Sequence, residues 1–329
     1  MKNTYWEYAS TRYKTKIKAI EASGGDITSI AFSAFDTAFY SYTWDIEPKE
    51  SFQELLVDRA KQLRDTYKYL KLWYSGGADS TTVLKTFIEN GIFIDEIVVS
   101  RMAINDNFSN KSNLEIDDYT TPFLKSIQHI IPKTKINYIN IDKNYYDIHL
   151  SEKWLHTKSN LDMRHLYIPR IRGKSFCNIF ADCNPMVYFK DNEWFSYFYD
   201  TDNLGEYSTY SNIELFFTSE NMPALHAKQL HMVKNYLKLH SLINLKTNTP
   251  SYKSITAEVT RSLPIVRTSF IKNTRTVSLF DSNKNKELLR LSNQQQRDSL
   301  RSLYSTKING KSLINLFIGY KTKTISLGE

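Results

Sequence analysis

A glycine-containing loop between a predicted strand and a predicted helix narrows the folds that this chain can adopt. Residues 69–74 are typical of a buried strand, and apolar residues recur at helical spacing over 81–88. The loop between them reads Ser75-Gly76-Gly77-Ala78-Asp79-Ser80. A strand that turns sharply into a helix is typical of α/β sheets, which bind phosphate groups at such turns.

The residue types in this loop favour binding of an anion. Two glycines allow a tight turn that exposes backbone N–H groups, and Ser75 and Ser80 add hydroxyl donors. The helix predicted to begin near Ser80 contributes the positive end of its dipole. A glycine turn with a helix cap is the purely structural alternative, but the strand and helix on either side favour the phosphate site.

The rest of the pattern predicts an α/β fold, a parallel sheet with helices on both faces. The predicted strands after the loop cover residues 94–99, 135–141 and 175–181. The predicted helices cover residues 51–67, 119–130 and 219–237. Aromatic runs over 187–190 and 194–199 flank Asp191-Asn192, which is typical of a hairpin turn. Strands and helices that alternate at this interval indicate parallel strands with helical crossovers.

We predict three regions in this chain of 329 residues. Residues 1–50 form a small irregular or antiparallel cap, residues 51–240 the α/β domain, and residues 241–329 a basic region that is helical in patches. The net charge is +8, but residues 246–329 alone carry 15 Lys and Arg against 5 Asp and Glu. This region could bind a substrate or nucleic acid, or it could be a solvated surface.

Composition excludes several classes of protein. Hydrophobic residues at 41% and charged residues at 24% are ordinary globular values, which excludes wholesale disorder. No stretch approaches the roughly 20 apolar residues of a membrane span, and no apolar signal segment follows Met1, so we expect a cytoplasmic protein with no membrane partner. Cys177 and Cys183 are too few for a disulfide framework, and we expect buried thiols.

The motif Ser-Gly-Gly-x-Asp-Ser resembles the PP-loop of the ATP pyrophosphatase superfamily, also called the adenine nucleotide α-hydrolases. Its members have a Rossmann-like fold of the HUP type, include asparagine synthetase and GMP synthetase, and cleave ATP between the α and β phosphates. The resemblance implies that Ser75, Gly76, Gly77 and Ser80, with Ala78 between them, bind the pyrophosphate. It also implies that Asp79 binds Mg²⁺ or orients the loop.

Other segments are similar to uncharacterised PP-loop proteins of tailed phages that are described as asparagine synthetase-like. The similar segments fall within 93–97, 184–194 and 222–231, and the resemblance covers roughly residues 30–240. If the chain is phage-encoded, its location is the host cytoplasm. Those proteins tend to carry Gly-x-Asp-Lys-Pro where this chain has Ala181-Asp182-Cys183-Asn184-Pro185, so the lysine is missing here.

Further candidate site residues lie outside the loop. Asp182, at the end of the fourth predicted strand, is the best candidate for a second catalytic and Mg²⁺ contact. Lys174 belongs to a basic cluster with Arg164, Arg170 and Arg172 that either stabilises pyrophosphate charge or forms a solvated or RNA-facing loop. By family analogy alone, adenine would lie against Val99, Ser100 and Arg101.

The expected activity is that of an AMP-forming ligase that uses ATP and Mg²⁺ and acts on a small molecule or a nucleobase. Glutamine-dependent relatives carry a glutaminase nucleophile directly after the initiator Met, whereas Lys2 follows Met1 here. Nitrogen must then come from ammonia, an amine or a separate donor protein, and a sulfur donor stays open. Two alternatives remain, a nucleic-acid-modifying enzyme that docks tRNA or DNA from Lys246 onward and a non-catalytic nucleotide-binding protein.

Overall fold

The computed structural model describes residues 4–35, 37–103, 113, 116–141, 175–181, 186–198, 212–239, 307–308, 311–312 and 324–329. At the N-terminal end, three short strands form an antiparallel sheet in the order β2-β1-β3. These strands are β1 (Tyr5–Tyr8), β2 (Thr11–Tyr13) and β3 (Ala31–Ser33). Two helices accompany them, α1 (Lys16–Ala22) and α2 (Thr37–Tyr40). The three strands are antiparallel, which is one of the two arrangements predicted for residues 1–50.

The central part alternates helices and parallel strands, as predicted. Its helices are α3 (Phe52–Thr66), α4 (Ala78–Glu89), α5 (Thr121–Ile127) and α6 (Pro223–Leu239). Its first strands are β4 (Tyr69–Trp73), β5 (Glu96–Met102), β6 (Lys135–Ile141) and β7 (Phe176–Phe180). A π-helical turn, Ile116–Thr120, leads into α5. The start of α3 is confirmed in detail, because Ser51 and Glu54 form a capping box.

The remaining strands include one hairpin that the sequence predicts. They are β8 (Met186–Lys190), β9 (Glu193–Tyr197), β10 (Ile213–Leu215), β11 (Lys307–Ile308), β12 (Lys311–Ser312) and β13 (Ile325–Ser326). Asp191 and Asn192 join β8 to β9 with φ values of 50° and 67°, the left-handed pair that a two-residue hairpin turn requires.

Five strands form one parallel sheet in the order β10-β7-β4-β5-β6. The chain lays down β4, β5 and β6 in one direction, then returns to add β7 on the other side of β4 and β10 beyond it. Side chains alternate between two cores: Leu72 of β4 packs with α3, α4 and α5, whereas Trp73 packs with α6 and the N-terminal region. Helices therefore cover both faces of the sheet, as expected for an α/β fold.

A buried ion pair fixes the outer strand β10 to helix α3. The Arg59 guanidinium lies 2.9 Å from the Glu214 carboxylate, and both side chains are almost fully buried. Arg59 also donates to the Phe216 carbonyl at 3.2 Å, and the Tyr67 hydroxyl donates to the second Glu214 oxygen at 2.8 Å. Every charge in this cluster therefore has a partner, which buried ions require.

Residues 324–329 return to the body of the protein. Strand β13 pairs antiparallel with β9, and its neighbour Leu327 is fully buried. From α6, the Lys234 ammonium donates to the Leu327 carbonyl at 2.6 Å. The described segments of the predicted helical region 241–329 contain short strands and irregular chain, and the rest of that region lies outside the described residues. Within the described part of the chain, no helix is both long and apolar enough to cross a membrane.

Candidate functional site

The glycine-containing loop lies where the order of strands in the sheet reverses. It follows β4. From β4 the chain continues to β5 and β6 on one side, and it later adds β7 and β10 on the other side. In open α/β sheets, ligands bind at the carboxyl ends of the strands beside this reversal. The structure therefore places the loop at the position where a ligand is most expected in a sheet of this kind.

Two serine hydroxyls hold the loop closed. The Ser75 and Ser80 hydroxyl oxygens are 3.1 Å apart, and the Gly77 N–H donates to the Ser75 hydroxyl at 3.2 Å. The Ser80 hydroxyl donates to the Gly77 carbonyl at 3.2 Å. Ser80 is buried whereas Ser75 is exposed. Both predicted hydroxyls are thus brought together, and in this conformation they hydrogen-bond inside the loop.

Gly76 occupies a position that no other residue fits. Its φ is +77°, in the left-handed region, and a Cβ added there would lie 2.1 Å from the Thr120 Oγ1. Gly77 has an ordinary extended backbone and stands at the N-cap of α4. The first helical hydrogen bond runs from the Thr81 N–H to the Gly77 carbonyl at 3.0 Å, so the N–H groups of residues 78–80 precede the helical ladder.

Asp79 lies in the first turn of α4, beside these N–H groups. An acidic side chain is favourable at a helix N-terminus, but it would repel a phosphate unless a cation lies between them. Among the described residues, no group of three or more His, Cys, Asp and Glu side chains could hold a metal ion. A magnesium ion would fit here only with Asp79, phosphate oxygens and water as ligands, which is a common arrangement for this ion.

The three residues predicted to face adenine have different environments. Val99 is fully buried in the core beneath α3 and α4, so its side chain serves packing. Ser100 is partly exposed. The Arg101 guanidinium makes two contacts with the Asp117 carboxylate, one of them at 3.1 Å. These hydrogen bonds to Asp117 raise the pKa of Arg101, and they join the end of β5 to the π-helical turn.

Thr120 is a site residue that the sequence interpretation missed. It ends the π-helical turn, is 1% exposed and places its hydroxyl against Gly76. Within the described part of the chain, that hydroxyl has no hydrogen-bond partner. Thr121 and Pro122 mark a helix start in the sequence, but no spacing rule connects Thr120 to a loop more than forty positions earlier.

Other predicted site residues belong to segments between the described ranges. Lys174, Asp182 and the arginines at 164, 170 and 172 lie outside the described residues, as does Cys183. Cys177 is fully buried in β7, which confirms the expectation of a packing role for that thiol.

No protein-family model matches this chain, and no curated protein sequence is significantly similar to it. The geometry of residues 75–80 and their neighbours is therefore what indicates a function.

Proposed function

We propose that this protein binds ATP with its β and γ phosphates over residues 75–80 and acts as an AMP-forming ligase of the ATP pyrophosphatase type. One observation carries the proposal. A Ser-Gly-Gly-x-Asp-Ser loop connects β4 to α4 at the strand-order reversal, and Thr120 leaves no room for a side chain at Gly76. A glycine turn at the N-terminal end of a helix can present backbone N–H groups to a phosphate, at the positive end of the helix dipole.

The described residues would act on the phosphates by binding and orienting them. The N–H groups of residues 78–80 precede the helical ladder and can donate to phosphate oxygens. The exposed Ser75 hydroxyl can rotate from Ser80 toward a phosphate. A magnesium ion would supply positive charge between Asp79 and the phosphates.

The proposed reaction has two steps. First, an acceptor carboxylate or carbonyl oxygen attacks the α phosphorus; the bond from that phosphorus to the bridging oxygen breaks, and pyrophosphate leaves with the bridging electron pair. An amine, ammonia or sulfur nucleophile then attacks the activated carbon and displaces AMP, losing its proton to solvent. Fixed donors around the departing pyrophosphate would stabilise the charge that develops in the first step.

The charge distribution favours a second candidate, in which the acceptor is a base within tRNA or DNA. Residues 246–329 carry 15 basic and 5 acidic side chains, while the rest of the chain carries 28 and 30. Clustered basic residues bind nucleic acid by releasing counterions, so this candidate requires binding that weakens steeply with salt. A small-molecule ligase would show no such dependence.

In the presence of Mg²⁺, the purified protein should convert ATP to AMP and pyrophosphate when it is supplied with pools of carboxylates, amines and nucleic acids. A non-hydrolysable α,β-methylene analogue of ATP should bind and inhibit. Ser75→Ala and Asp79→Asn should lower pyrophosphate release about a hundredfold or more, because both groups are expected to act on phosphate and metal. Product identity is read from ATP labelled at the γ phosphate.

Ser23→Ala provides a matched control. Ser23 also precedes two glycines and an aspartate, but it caps the end of α1, where its hydroxyl donates to the Ile20 carbonyl. This variant should keep full activity. Formation of ADP and phosphate, or unchanged turnover in Ser75→Ala, would contradict the proposal. Binding of ATP without turnover in any pool would indicate a non-catalytic nucleotide-binding protein.

A further inference from the structure

We infer that Thr120 is a phosphate-binding residue supplied from outside the loop motif, its hydroxyl donating to an oxygen of the anion held by residues 75–80. This inference rests on the proposed function and adds a residue to the same site. Thr120 is 1% exposed, and its Oγ1 is directed at the bend of the loop, 2.1 Å from where a Cβ of Gly76 would stand. In the described structure that hydroxyl has no partner.

The position of Thr120 is imposed by its neighbours on both sides. Asp117, three residues earlier, is bound by Arg101 at the end of β5. Thr121, the next residue, accepts a hydrogen bond from the Tyr138 hydroxyl of β6 at 3.2 Å. Two adjacent strands of the sheet thus fix the segment that carries Thr120 beside the loop. A donor held in this way loses little freedom when it binds a ligand.

Helix α5 adds a third constraint on this segment. Leu124 is fully buried in the core beneath the sheet, and the Phe123 ring stacks 6.2 Å from the ring of Tyr74, the residue before the loop. The loop and the turn are therefore packed as one unit.

An unpaired buried hydroxyl is unfavourable, so its presence beside an anion-binding loop needs an explanation. A bound phosphate oxygen would provide the missing acceptor, and a hydrogen bond to a charged acceptor is stronger than one between neutral groups. The rival explanation is that Thr120 only fills space against Gly76. The two explanations differ in what happens when the hydroxyl alone is removed.

Thr120→Ser and Thr120→Ala form a matched pair, because both lose the methyl group and only the serine keeps the hydroxyl. The probes are inorganic pyrophosphate and ATP, each titrated calorimetrically into the full-length protein with Mg²⁺. We expect the alanine variant to bind both probes about tenfold or more weakly than the serine variant. Thermal melting should show the alanine variant without ligand to be at least as stable as the serine variant, since no native hydrogen bond is lost and an unpaired buried hydroxyl is removed.

Equal affinities in the two variants, with wild-type protein binding both probes, would overturn the role of Thr120 and leave the proposed function standing. Lower stability of the ligand-free alanine variant with unchanged affinity would likewise overturn it and indicate a structural hydroxyl. If wild-type protein binds neither probe, both the proposed function and this inference fail. Restoration of affinity by serine but not by alanine supports the inference.

Discussion

At the scale of single residues, the site depends on the contact between Gly76 and Thr120. The loop motif identifies Gly76 from the sequence, since consecutive glycines after a strand predict a sharp turn. Thr120 could not be identified in this way, because its contact is made across a fold that brings the start of α5 against the start of α4. Its burial and its position beside Gly76 become visible only in three dimensions.

The substitution Gly76→Ala separates backbone strain from steric overlap when it is compared with Gly24→Ala. Both glycines have positive φ, but a Cβ at Gly24 meets no atom within 4 Å, whereas one at Gly76 overlaps Thr120. Gly24→Ala should lower the free energy of unfolding by roughly 1–2 kcal/mol through strain alone. Gly76→Ala should cost about 1–3 kcal/mol more, measured by urea denaturation, and should abolish ATP binding. Equal losses in the two variants would show that Thr120 does not limit this position.

At the scale of secondary-structure elements, the helices and strands with the strongest sequence patterns are the ones that the sequence predicts correctly. Helix α3 and strand β6 are confirmed, because the first carries a capping box and a helical apolar repeat and the second matches its predicted range of 135–141. Helix α4 begins at Ala78, before the apolar residues that signal it, since its first turn belongs to the loop. Strand β10 was missed: three residues are too short for a period to be recognised.

The Arg59 ion pair holds strand β10 to helix α3, and its contribution to stability can be measured. Arg59→Met would leave the Glu214 carboxylate buried without its counter-charge and should lower the free energy of unfolding by about 3–5 kcal/mol. Adding Glu214→Gln should restore part of the loss, because the remaining buried charge is removed. Urea denaturation of both variants provides the measurement.

The exposed pair of Arg12 and Glu7 is the control for this prediction. Its two charged groups are 3.7 Å apart, and the side chains are 67% and 40% exposed. Arg12→Met should therefore cost less than about 1 kcal/mol. A comparable loss at Arg12 and Arg59, or no recovery in the double variant, would mean that burial of the Glu214 charge is not what makes Arg59 important.

At the scale of the whole molecule, the strand order could not be read from the sequence. Alternating strands and helices predict a parallel sheet, but periodicity does not reveal that β7 pairs with β4 on the side opposite β5. That choice creates the reversal at which the loop lies. The return of residues 324–329 to strand β9 was equally hidden, because the segment is short and far along the chain from its partner.

This return should contribute measurably to stability. Leu327 is fully buried, so Leu327→Ala should lower the free energy of unfolding by about 2–4 kcal/mol, through lost apolar contact and the cavity that remains. The neighbouring Ser326 is exposed, and Ser326→Ala should change it by less than about 0.5 kcal/mol. Chemical denaturation of the two variants tests the difference. A Leu327→Ala protein as stable as the wild type would mean that this segment does not hold to the body in solution.

The hydrogen bond from Lys234 to the Leu327 carbonyl joins two residues that are far apart along the chain. The interval 240–323 departs at the end of α6 and comes back to that same helix. A single proteolytic cut within this interval leaves the pairing of β13 with β9 and the contact of Lys234 with Leu327 intact, so the two fragments should still elute together under native conditions.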